Sequence, residues 1–142
     1  MSFDLFLQDM NDHVSQADWI AARDAAFSRH SVQKVDDAVL RFGDGAEIEF
    51  FQSKDHPGGT FALRGWSNEV GNFIFDLLDS SKLFLLCSEG VIRSGLTLRP
   101  PFPEEGYEEA LASSGEELET LLLKGFDVWK EFRDRRAGKM NN

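Results

Sequence analysis

Ala38-Val39-Leu40-Arg41-Phe42-Gly43-Asp44-Gly45-Ala46-Glu47-Ile48-Glu49-Phe50-Phe51 is two alternating runs broken by a glycine-rich turn. Period-two alternation belongs to strands with one buried face. The side-chain pattern also selects the loop. A two-residue Asp44-Gly45 turn would set Phe42 against Glu47 and Leu40 against Glu49, mixing apolar and charged groups on both faces. A three-residue loop sets Phe42 beside Ala46, Leu40 beside Ile48 and Ala38 beside Phe50, with Arg41 facing Glu47 on the other side. Register follows the buried face. The sequence therefore predicts a hairpin with Gly45 left-handed at a bulge.

Working outward, Thr60–Trp66 alternates as a further strand with Phe61 and Leu63 inward. His56-Pro57-Gly58-Gly59 precedes it as a loop. Phe3–Gln8 alternates too, with Phe3, Leu5 and Leu7 on one face. Ser15 is placed to cap a helix running to Arg29, with Trp19, Ile20, Ala22, Ala26 and Phe27 on one side and Arg23 near their middle. Either Arg23 snorkels past the apolar edge or it pairs with a buried acid. Ser67 caps a second helix, where Val70, Phe73, Ile74, Leu77 and Leu78 recur at helical spacing. Leu83–Cys87 is apolar on both sides, the mark of a central strand, and a short strand follows near Val91–Arg93. Prolines at 100, 101 and 103 exclude regular structure there and open a long connection. Ser114 and Glu117 form a capping box for a last helix, with Leu118, Leu121, Leu122, Trp129 and Phe132 as its stripe.

The expected fold is α+β. A mainly antiparallel sheet of five or six strands carries two or three helices on one side, the last helix lying on the other face as the alternative. All 142 residues fit one domain, the last few expected to be disordered.

The net charge is −10. Such a chain repels phosphate backbones and anionic membranes and attracts basic proteins. No apolar run reaches the roughly 18 residues of a membrane helix. The N-terminus lacks a signal-peptide pattern, so a cytoplasmic location is expected. Cys87 is the single cysteine, so no internal disulfide forms. Seven acids and no Lys or Arg occupy 100–123, whereas 124–142 holds six basic residues and three acids.

Catalytic signatures are absent. His13, His30 and His56 are far apart and lack ligands at helical spacing. Gly43-Asp44-Gly45 is turn chemistry, and Gly58-Gly59 has no following Lys-Ser/Thr. No cofactor and no metal are expected, and a non-enzymatic role is favoured. Two surfaces stand out. Glu104, Glu105, Glu108 and Glu109 form an acidic segment suited to a basic partner, or a plain solvated face. The outward sheet face gathers Asp4, Phe6, Arg41, Glu47, Glu49 and Arg64 near Trp66. Arg41, Arg64, Trp66 and Glu47 there are candidates for a pocket in a small enzyme or ligand-binding domain. A homodimer through that face is a third reading.

Met1-Ser2-Phe3-Asp4-Leu5-Phe6-Leu7-Gln8, the run Leu40–Phe51, and Phe61-Ala62-Leu63-Arg64-Gly65 resemble a set of small bacterial proteins over roughly the first 90 residues. Some of those look like immunity or interaction partners of secreted toxins. The resemblance implies a common fold and an immunity-type role neutralising a basic toxin. It carries over no catalytic residue.

Overall fold

The computed structural model describes residues 3–9, 14–63, 65–86, 90–96 and 108–125. Within them the chain is α+β. Eight strands form one mixed, mostly antiparallel sheet in the order β2-β3-β4-β5-β1-β6-β7-β8. The strands are β1 (Phe3–Gln8), β2 (Gln33–Lys34), β3 (Val39–Arg41), β4 (Glu47–Gln52), β5 (Gly58–Leu63), β6 (Phe84–Leu86), β7 (Gly90–Ser94) and β8 (Glu108–Ala112). The helices are α1 (Gln16–Arg29), α2 (Asn68–Ser81) and α3 (Gly115–Gly125).

The hairpin follows its side-chain pattern. Leu40 pairs with Ile48 and Arg41 with Glu47. The Phe42 amide donates to the Ala46 carbonyl, the Gly45 amide to the Phe42 carbonyl, and Gly45 sits at φ +87°. A left-handed residue at the loop end lets the strands keep their twist, which is why glycine stands there.

The expectation of five or six strands undercounts the sheet, because β2 and β8 leave faint traces in sequence. β2 is two residues long. In β8 the inward side chains among the described residues are the small Ala110 and Ala112, in register with Ile92 and Ser94 of β7, while Leu111 points outward and is 49% exposed. That inverts the usual amphipathic alternation. β7 and β8 also run parallel, so the sheet is not wholly antiparallel.

Caps set the helix starts. The Ser15 hydroxyl accepts from the Asp18 amide, the Ser67 hydroxyl from the Val70 amide, and the Ser114 hydroxyl from the Glu117 amide, while the Glu117 carboxylate reaches back to the Ser113 amide. Each satisfies an N–H that has no partner inside its helix. All five predicted apolar positions of α2 are buried, and Trp19 and Ala26 of α1 and Leu118 and Leu122 of α3 join the same core as Leu5, Leu7, Phe50, Phe61 and Leu63. Within the described residues the helices therefore share one side of the sheet. Two details of α1 differ from expectation. Ile20 is 37% exposed. Arg23 neither snorkels alone nor meets a buried acid: it bonds Asp24 beside it and donates to Gln52 of β4 at 3.0 Å. Trp129, Phe132, Cys87 and His13 lie outside the described residues.

The α1–α2 seam carries a polar clamp. Arg29 grips the Asp76 carboxylate with two hydrogen bonds of 2.8 and 2.9 Å, and His30 Nε2 lies 2.8 Å from the same carboxylate. Burial alone would raise the Asp76 carboxyl, but the bonds from Arg29 and His30 and their charge hold it below its ordinary range. Asp44 behaves alike: burial raises it, and bonds from the Ser67 hydroxyl and the Ala46 amide outweigh that. Both acids ionise more readily folded than unfolded. Their stabilisation is complete above the usual carboxylate range, near pH 4, and drains away as pH falls through it. Asp76→Asn is expected to cost about 1 kcal/mol at neutral pH, since the pairs are partly solvated. Urea midpoints at pH 7 and pH 3 check this: the variant should lose less stability on acidification than the parent.

Candidate functional site

Strand register builds the outer sheet face. Phe51 of β4 and Phe6 of β1 both pair with Thr60 of β5, so the three stand in one row across the sheet. The row continues through Leu86 of β6 and Val91 of β7 to Glu109 of β8. Six strands spaced about 4.8 Å apart make it roughly 24 Å long. Its two ends differ. Val91 and the neighbouring Phe84 are buried in a small cluster with Leu86, whereas Phe6 is 39% and Phe51 49% exposed. An open aromatic pair therefore lies over β1, β5 and β4.

The neighbouring row is Glu49, Ala62 and Asp4. Arg41 and Glu47 complete the rim as a cross-strand ion pair, with Arg41 Nε donating to Glu47 at 2.7 Å. Aromatic centre and charged rim together match the anatomy of a protein interface.

The residues expected to act are distributed unevenly. Asp4, Phe6, Arg41, Glu47 and Glu49 share the outer face, as the alternation implies. Arg64 lies outside the described residues. Trp66 is on the opposite side, packed on the core with its ring against Gly71 of α2. Arg41 and Trp66 thus do not line one pocket: β5 has ended at Leu63, and the strand parity that pointed Trp66 outward no longer applies. Of the acidic segment, Glu104 and Glu105 lie outside the described residues. Glu108 opens β8. Glu109 is ion-paired with Arg93 of the adjacent strand, so it is engaged within the fold. Phe51 is the residue the sequence reading left unnamed, although it shares the parity of Glu47 and Glu49 and so belongs outside.

Other polar clusters offer less chemistry. Ser80 bonds the Asp76 carbonyl and lies 3.3 Å from its carboxylate. Serine and histidine both reach Asp76 rather than each other, so the imidazole does not activate the hydroxyl as a nucleophile. Among the described residues no three His, Cys, Asp or Glu gather as metal ligands. No helix there is long and apolar enough to cross a membrane.

No family model, curated protein or solved structure matches this chain.

Proposed function

We propose that the domain binds a basic partner protein on the outer sheet face, in the manner of an immunity protein that neutralises a toxin. The observation that carries this reading is the exposed Phe6–Thr60–Phe51 row inside a rim of Asp4, Glu47, Glu49 and Arg41. Aromatic anchors supply affinity through burial. The net charge of −10 supplies steering toward a positive partner. The same charge argues against a second copy as occupant, because self-association would press one carboxylate rim against another. Glu104, Glu105 and Glu108 add to the negative charge that steers a positive partner in this reading.

The test compares the parent chain with a Phe6→Ser/Phe51→Ser double variant, both used to capture partners from the native host, followed by hydrogen exchange on the reconstituted complex. A protein of net positive charge should bind the parent. The double variant should bind it at least roughly 30-fold more weakly, as the loss of one anchor worth about 2 kcal/mol would already give. Protection should fall on β1, β4 and β5. Asp4→Lys with Glu49→Lys should slow association and flatten its salt dependence. A complex that protects other elements, or one indifferent to both phenylalanines, defeats the proposal. Light scattering that shows a dimer lost in the double variant would assign the face to self-association instead.

A further inference from the structure

The outer face, taken as the partner-binding surface proposed above, also specifies the side chain it receives. β5 is the low line of that face. Its outward residues, Thr60 and Ala62, are small and half-buried. β1 and β4 flank it and carry larger side chains. Phe6 and Phe51 stand on either side of Thr60, and Asp4 and Glu49 on either side of Ala62. A slot therefore runs along β5, with two phenylalanines at one level and two carboxylates at the next.

The sheet sets its dimensions. β1 and β4 are two strand spacings apart, about 9.6 Å, and the aromatic and acidic levels are separated by two residues, roughly 6.8 Å. Carbon surfaces meet at about 3.5–4.0 Å, so one flat group between the rings takes up about 7–8 Å and a second does not fit. Among the described residues neither ring makes a contact with another ring. Phe6 is 39% and Phe51 49% exposed, so both are open to an incoming group.

Charge decides what enters. Glu47 is held by Arg41 at 2.7 Å, which neutralises that pair at the rim. Asp4 and Glu49 also make contacts within the fold. Those contacts orient the carboxylates without exhausting them, because each has two oxygens and about four acceptor sites. Two rings backed by two acids attract a cation, through cation–π contact and charge-assisted hydrogen bonds. Arginine fits this slot better than lysine. Its guanidinium is planar, matches a carboxylate with parallel N–H groups, and is more weakly hydrated than an ammonium, so a half-exposed slot desolvates it more readily.

On the outer-face reading, we propose that the slot receives one arginine side chain of the basic partner protein. The guanidinium lies between Phe6 and Phe51 over Thr60. Its outer N–H groups point along β5 to Asp4 and Glu49, a charge-assisted bond of about 2.7–2.9 Å beyond. Shape thus selects a flat group and charge selects a cation.

Three capped amino acids test this in amide-resolved NMR titrations of the labelled chain at low ionic strength. They are N-acetyl-L-arginine methylamide, its lysine counterpart, and its citrulline counterpart, which keeps the planar shape without the charge. The arginine probe should give saturable shifts at Phe51, Thr60 and Ala62 with Kd of the order of 10 mM, and bind about fivefold tighter than the lysine probe. The citrulline probe should give none. Phe6→Leu and Phe51→Leu keep apolar bulk and remove the ring, and each should weaken the arginine probe about threefold. Glu49→Gln should weaken it about fivefold. Unchanged spectra at buried positions confirm that each variant is folded. Absence of saturable arginine shifts overturns the slot. Equal binding of the lysine probe overturns its assignment to arginine, and equal binding of the citrulline probe overturns recognition by charge. Shifts centred away from β1, β4 and β5 overturn its location. These failures are separable from failure of the interface itself: a captured partner that still protects β1, β4 and β5 means that the face binds through another anchor.

Discussion

Gly58→Ala is expected to cost about 3–5 kcal/mol, a large part of the 5–15 kcal/mol that holds an ordinary domain together. Gly58 opens β5 at φ +97°, where an L side chain costs about 1–2 kcal/mol in backbone strain alone. Its position in the ladder adds to that. Gly58 faces Gln8 at the end of β1, and an added Cβ would stand 1.9 Å from the Leu7 carbonyl oxygen. The obstacle is backbone, so no rotamer relieves it. β1 and β5 must part, and the bonds they exchange there weaken by about 1 kcal/mol each. Gly65→Ala is the matched control, because nothing lies within 4 Å of a Cβ there and its φ is ordinary. It should change stability by less than about 0.5 kcal/mol. Urea denaturation of the pair checks the contrast, and equal midpoints would mean that β1 and β5 do not meet as described.

Phe61→Ala is the second large effect. Phe61 is fully buried, pairs with Leu5 on one side and Phe50 on the other, and stacks on the Phe50 ring at an interplanar angle of 14°. Truncation removes its transfer free energy and leaves a void that a sheet interior cannot close, a loss of about 3–5 kcal/mol. Phe61→Leu, which keeps most of the volume, should cost about 1.5 kcal/mol or less. Phe51→Ala is the informative partner. It removes the same ring one strand away, but from the outer face, where it is 49% exposed. Stability should move by no more than about 0.5 kcal/mol, while partner binding falls. A thermal or urea series over these three variants separates the residues that hold the fold from those that face outward.

The hairpin shows how far a sequence reaches. One buried-face argument gave its register, its loop length and the handedness of Gly45, because Leu40, Phe42, Ile48 and Phe50 have only one arrangement that keeps glutamates out of the core. α2 was legible for the same reason. β8 was not, since alanine facing inward and leucine outward reverses the signal that a half-buried strand normally carries. Trp66 was misplaced by extending the parity of β5 past its end. The contact of α1 with β4 was invisible for a different reason. Arg23 and Gln52 are 29 positions apart, and only the packing of α1 on β4 brings them together. The outer face lies between these cases: Phe6 followed from alternation, while Phe51 was left unnamed although the same rule, applied one step further along β4, reaches it.

The place of β1 has a consequence for how the chain is made. β1 is the seam of the sheet, with β2–β5 on one flank and β6–β8 on the other. Its partners come late: Gln8 pairs with Gly58, 58 − 8 = 50 residues on, and Phe6 with Leu86, 86 − 6 = 80 residues on. At a synthesis rate of roughly 5–20 residues per second, β1 waits about 4–16 s for its second neighbour. Until β5 is made Leu5 and Leu7 have no strand beside them, and until β6 is made the second edge of β1 stays open to a chaperone or a neighbouring nascent chain. Transposing the first eight residues to follow Leu86 would remove the wait and should raise the yield of soluble protein made at 37 °C.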